Sequence, residues 1–110
     1  HAIENTLGYG VFLHGEAISV GMLMAAKLSY LLGDLSESDV RQVKDLLEKA
    51  NLPIHVDGKI SASEFLSAMS VDKKVIDGNI RLILMSKLGE SYISDVYQKE
   101  QLDQVIGDFC

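Results

Sequence analysis

Three histidines, two carboxylates and one lysine pair are the residues of this sequence best suited to chemistry. His14 stands in Leu13-His14-Gly15-Glu16, where a glycine-broken segment gives way to a long apolar one. A neutral imidazole held at a helix start binds zinc well. The same ring would serve equally as a hydrogen-bonded cap or a core histidine, and no second ligand stands at i+4, so the HExxH pattern is absent. His1 lies upstream of His14 with Gly8 and Gly10 between them, which permits a shared site without requiring one. His1 and Glu4 fall one turn apart if the first segment is helical. A carboxylate there could orient the imidazole for acid–base work, and an ordinary surface pair is the plainer alternative. Lys73-Lys74 follows Asp72 at an expected helix end. Two ammonium groups could clamp a phosphate or carboxylate, or simply complement the negative end of the helix dipole. His55 follows Pro53 in a loop and is expected to be solvated. Cys110 has no neighbouring Cys or His in the sequence and reads as inert. Met22, Met24, Met69 and Met85 read as core filler.

The elements that must position these groups follow from periodicity. Residues 1–7 read as the last turns of a helix, broken by Gly8-Tyr9-Gly10. Residues 15–32 are apolar nearly all round, with only Glu16 and Lys27 charged, which predicts a buried helix ended by a left-handed Gly33. Ser36 with Asp39 starts the next helix, with Val40, Val43, Leu46, Leu47 and Ala50 on one face and Pro53 closing it. Its charge pairs Glu37/Arg41, Arg41/Asp45, Lys44/Glu48 and Asp45/Lys49 mark a solvated face. Ser61 and Glu64 form a capping box ahead of Phe65, Leu66 and Met69. Asp77-Gly78-Asn79 is a turn signal. Strands are expected over 80–85 and 92–96 as a short hairpin, followed by a helix with Leu102, Val105, Ile106 and Phe109 on one face. The fold class is mostly α with one short β element, as a single domain over residues 1–110.

The chain has 110 residues, with 10 basic and 16 acidic side chains giving a formal charge of −6. That balance argues against a general nucleic-acid binder, which usually carries a basic surplus. A hydrophobic share of 47% is too large for a disordered tail. One cysteine excludes an intrachain disulfide framework. There is no basic segment followed by an apolar core to read as a signal peptide. The longest uncharged apolar run, about ten residues, falls short of the roughly 20 needed to span a bilayer. A start at His1 rather than Met suggests a piece of a longer protein, so some apolar surface is expected to belong against a missing partner domain.

The strings His1-Ala-Ile-Glu4-Asn and Leu13-His14-Gly15-Glu16-Ala17-Ile18-Ser19-Val20-Gly21-Met22 resemble 3-dehydroquinate synthase. So does Asp72-Lys73-Lys74 with Gly78, Arg81, the Leu82-Ile83-Leu84 run and Leu88-Gly89. The resemblance runs through the whole chain, in order, and is to the largely helical C-terminal domain of that family. The dinucleotide-binding N-terminal domain has no counterpart here. The resemblance implies conversion of 3-deoxy-D-arabino-heptulosonate 7-phosphate to 3-dehydroquinate and phosphate, in the shikimate route to aromatic compounds, in the cytoplasm. It implies bound NAD as a transient oxidant and a divalent metal, zinc or cobalt, as Lewis acid. By motif, His14 is the metal ligand and His1 a catalytic residue near the substrate. One of Lys73 and Lys74 contacts substrate, Glu4 and Glu16 play supporting roles, and no residue here binds NAD. Two further metal ligands, a His shortly before His1 and a Glu, would come from upstream, so this piece alone is expected to be inactive. Homodimers are common in the family. Related sugar phosphate cyclases and iron-dependent alcohol dehydrogenases share the architecture. A stand-alone helical interaction module is the alternative from another class.

Overall fold

The computed structural model describes residues 1–8, 10–72 and 79–110. Tyr9, Lys73, Lys74 and the Asp77-Gly78 part of the expected turn lie outside the described residues. The elements in chain order are α1 (Ala2–Leu7), α2 (His14–Leu31), α3 (Glu37–Lys49), α4 (Ala62–Asp72), β1 (Leu82–Lys87), β2 (Glu90–Ser94) and α5 (Lys99–Phe109). The mostly helical class with one hairpin is therefore the observed one.

Helix α2 is the central element, and α1, α3, α5 and β1 all pack against it. Ala17, Val20, Leu23, Met24, Ala26 and Leu28 are buried along it. Two small polar residues on the same faces are fully buried as well, and both are satisfied. The Ser19 hydroxyl donates to the Pro53 carbonyl at 2.8 Å. The Ser29 hydroxyl donates to Ala25 O within the helix and accepts the Met85 N–H of β1 at 2.9 Å. These bonds tie the helix to a loop and to a strand without leaving a buried polar atom unpaired. The expectation of burial all round needs one correction. Ile18 and Met22 remain 43% and 41% exposed, because that face of α2 looks into an open cleft rather than onto another element.

Helix ends follow their side chains. Ser36 accepts from Asp39 N while Asp39 accepts from Ser36 N, and Ser61 and Glu64 make the same reciprocal pair. Gly33 takes the left-handed conformation that ends α2. Helix α3 stops before Pro53 can act. Asn51 turns left-handed at φ 57° and Leu52 N bonds back to Leu47 O, closing the end at Ala50. Two of the expected charge pairs form, Arg41–Glu37 at 3.7 Å and Lys44–Glu48 at 4.0 Å. Leu46, expected on the packed face, is 68% exposed. Leu47 alone of this helix is buried.

Strands β1 and β2 pair antiparallel through Leu82↔Ser94, Ile83↔Ile93, Leu84↔Tyr92 and Met85↔Ser91, with an irregularity before Lys87↔Glu90. The hairpin sits about the tight Leu88-Gly89 turn, so both strands lie two residues closer to it than expected. Leu84 faces the core, while Ile83 and Ile93 are paired across the strands and both about two-thirds exposed. Below the hairpin the Tyr97 hydroxyl donates to Ile80 O at 2.6 Å, and Asn79 donates to the carbonyls of Asp95 and Tyr97. The face of α5 predicted to be apolar is buried through Leu102, Val105 and Ile106.

Leu23 is 4% exposed and Leu46 68%. Leu23→Ala should destabilise by about 2–5 kcal/mol, whereas Leu46→Ala should stay within about 0.5 kcal/mol. Denaturant unfolding of both variants checks this. An alkaline limit follows from two phenols. Donation to the Asp34 carboxylate at 2.6 Å raises Tyr92, and burial, reinforced by the charge of Asp95, raises Tyr97. The folded state then holds these protons more tightly than the unfolded chain. Stability should be constant below the ordinary tyrosine value, near pH 10, and fall above it as the folded phenols ionise. The unfolding midpoint across pH 8–12 measures this, and replacing both tyrosines by Phe should flatten the alkaline slope.

Candidate metal and substrate site

The site is built where α1 hands over to α2. Ala2 and Ile3 are buried and anchor α1 against α4. Gly8 and Gly10, at φ 80° and 90°, occupy a region that side chains rarely adopt, and this lets the chain double back between the helices. Glu4, near the middle of α1, is thereby brought against the first residue of α2. Its Oε1 lies 2.8 Å from His14 Nδ1, and the two side chains are 27% and 65% exposed. Glu16 acts on the backbone instead. Its Oε1 accepts the Leu13 N–H at 2.8 Å, fixing the turn that carries His14 and placing a negative charge in the first turn of α2, where the helix dipole favours it.

An ionised carboxylate can only accept, so the proton in the Glu4–His14 bond belongs to Nδ1, and in the neutral ring Nε2 then carries the lone pair. That is the donor a divalent metal requires. The arrangement, a carboxylate behind an imidazole, recurs behind metal-bound histidines. His14 therefore fits a metal site as one ligand. No group of three or more His, Cys, Asp or Glu placed to hold a metal ion occurs among the described residues.

His1 and His14 line one open cleft of about 650 Å³ between α1, α2, α4 and β1. Its walls are largely apolar, with Ile18, Met22 and Ile83 exposed toward it. Arg81 joins them at the rim, and its guanidinium suits phosphate or carboxylate. The structure thus brings together His1, His14 and Glu4 and adds Arg81, which the sequence offers only as part of a matching string. The Glu4–His14 contact spans ten residues and two elements, so no helical spacing announces it. The pair of bracketing glycines is its only sequence signal. His55 is placed as expected, outside this cleft, against Asp57 at 2.6 Å. Cys110 is half-buried, and burial pushes its thiol up, consistent with an inert role. No helix is long and apolar enough to cross a membrane among the described residues.

The backbone of the whole described chain superposes on 2-deoxy-scyllo-inosose synthase, solved with carbaglucose-6-phosphate, NAD+ and Co2+, at a TM-score of 0.85 and 28% identity. The match covers 100% of this chain and 32% of that one. A second solved structure, a 2-epi-5-epi-valiolone synthase from Streptomyces hygroscopicus with NAD+ and Zn2+ bound, shares the fold at a TM-score of 0.76 and 20% identity over 89% of this chain and 27% of that one. The fold is that of the dehydroquinate synthase-like sugar phosphate cyclases. The family model described as 3-dehydroquinate synthase C-terminal matches residues 1–75. The 3-dehydroquinate synthase of Vesicomyosocius okutanii is 66% identical over 110 residues, and that of Nitrosococcus oceani is 50% identical over 106 residues. These matches cover 100% and 96% of this chain but 31% and 30% of the relatives, so the chain spans about a third of their length. The chain belongs to the 3-dehydroquinate synthase family, within its C-terminal region.

Loss of the Glu16 carboxylate should loosen the start of α2. Glu16→Ala removes one acceptor and one favourable dipole contact, together about 1 kcal/mol, read as a shift in denaturant midpoint.

Proposed function

We propose that this chain is the metal- and substrate-facing part of a 3-dehydroquinate synthase, the enzyme that converts 3-deoxy-D-arabino-heptulosonate 7-phosphate to 3-dehydroquinate and phosphate, working with NAD and a zinc or cobalt ion. The observation that supports this most is the shared cleft of His1 and His14, with Nδ1 of His14 occupied by Glu4, in a chain 66% identical to a synthase of that name. Another cyclase of the same fold is the second reading, carried by the superposition on 2-deoxy-scyllo-inosose synthase. Identity of 28% against 66% favours the dehydroquinate branch.

In this reading His14 offers Nε2 to the metal. A bound divalent ion supplies Lewis acidity toward the hydroxyl and ketone oxygens of the substrate. His1, the exposed N-cap of α1, lines the same cleft and exchanges protons with substrate. Lys73, Lys74 and Arg81 are the cations available to hold its phosphate and carboxylate. The apolar walls of Ile18, Met22 and Ile83 keep water from the reacting carbons once the cleft is closed. NAD and the remaining metal ligands belong to the part of the enzyme represented by the other two-thirds of the relatives' length, so the 110-residue piece alone is inactive. Residues 1–110 form one helical domain of that enzyme, which we place in the cytoplasm.

The test is steady-state kinetics on the full-length enzyme with the heptulosonate phosphate. His14→Ala should lose stoichiometric metal and turnover. Of Lys73→Ala and Lys74→Ala, one should raise KM by about 10- to 150-fold, the loss of a charge-assisted contact worth about 1.5–3 kcal/mol. Turnover of a different sugar phosphate in preference to this one would overturn the substrate assignment.

A further inference from the structure

We infer that Glu4 is the positioning residue of the metal site, holding His14 in the one tautomer and ring orientation that present Nε2 to the ion. The inference deepens the ligand reading of His14 and rests on it. His14 is 65% exposed and stands at the first position of its helix, where packing does little to fix a ring. Metal binding would then have to freeze a rotating side chain, an entropic cost that falls on affinity. The Glu4 carboxylate removes that freedom from outside the helix. It is itself less mobile than a surface carboxylate, being 27% exposed on a helix whose Ala2 and Ile3 are buried. Its backbone carbonyl is tied as well, accepting the Gly8 N–H at 3.0 Å.

A second histidine–carboxylate pair among the described residues behaves differently. His55 and Asp57 are neighbours in one loop, 52% and 66% exposed, and the cleft does not include them. Glu4 and His14 come from separate helices joined by two left-handed glycines, so their meeting is a property of the fold. Glu16 does not share this task, since its carboxylate is spent on the Leu13 N–H. Glu4 acts on the ring and Glu16 on the backbone beneath it.

The experiment uses the full-length enzyme, stripped of metal and titrated with Co2+ against a chelator, with the Co2+ visible spectrum recorded at saturation. Glu4→Ala should weaken Co2+ binding by about 10- to 100-fold and alter the spectrum, while the metal-free thermal midpoint holds. Glu4→Gln keeps the size of the side chain and an oxygen able to accept Nδ1–H, so it should fall between wild type and Glu4→Ala. Asp57→Asn, at the other pair, should leave Co2+ affinity unchanged. In metal-free protein with labelled histidine, 15N spectra should show Nδ1–H at His14 in the wild type and lose that signature in Glu4→Ala. Wild-type Co2+ affinity in both Glu4 variants, with binding lost in His14→Ala, overturns the inference and leaves the ligand reading standing. Retention of Co2+ by His14→Ala overturns the ligand reading and this inference with it.

Discussion

A helix that is apolar almost all round can be stable in only one place, and much else in this chain follows from putting α2 there. Its buried Val20, Leu23, Met24 and Leu28 need partners on several sides at once, and α1, α3, α5 and β1 supply them. Surrounding a helix in this way also costs polar satisfaction, and Ser19 and Ser29 meet that cost by bonding to a loop carbonyl and a strand amide. One stripe of the helix is left over, running from His14 through Ile18 to Met22. That leftover stripe forms a wall of the cleft.

The start of the same helix then governs the chemistry. A helix N-terminus favours negative charge, which suits Glu16. A neutral imidazole is the form of a histidine that binds metal. Glu4 adds the choice of tautomer. Two separate features thus converge on one ring: the backbone turn held by Glu16 and the hydrogen bond from α1.

Local signals were legible in the sequence because their physics is local. The two capping boxes, the left-handed Gly33 and the apolar face of α5 involve residues within a turn or so of one another, and each stands where spacing places it. Misreadings arise where distant residues decide. Leu46 and Leu47 are indistinguishable by periodicity, yet only Leu47 is buried. The hairpin register is set by the Leu88-Gly89 turn rather than by the hydrophobic run alone. At the site, His1 and His14 carry their meaning through family strings, whereas the partner of Glu4 is a product of chain reversal and is visible only in three dimensions.

The exposed apolar residues of the cleft bear on what the rest of the enzyme must do. Ile18, Met22 and Ile83 are each between two-fifths and two-thirds exposed, and they lie beside a histidine whose donor atom is already oriented. Apolar surface left open around a polar group is costly in water and useful in a closed site, where excluding water strengthens every electrostatic contact. One oriented ligand is likewise insufficient for a catalytic metal, which normally takes three from the protein. Both deficits have the same remedy. Under the proposed reading, a further body of protein that brings the other ligands to His14 would also cover these side chains, so that completing a metal site and drying the cleft would be one structural event. A chain that spans about a third of its relatives' length has room in those relatives for that body.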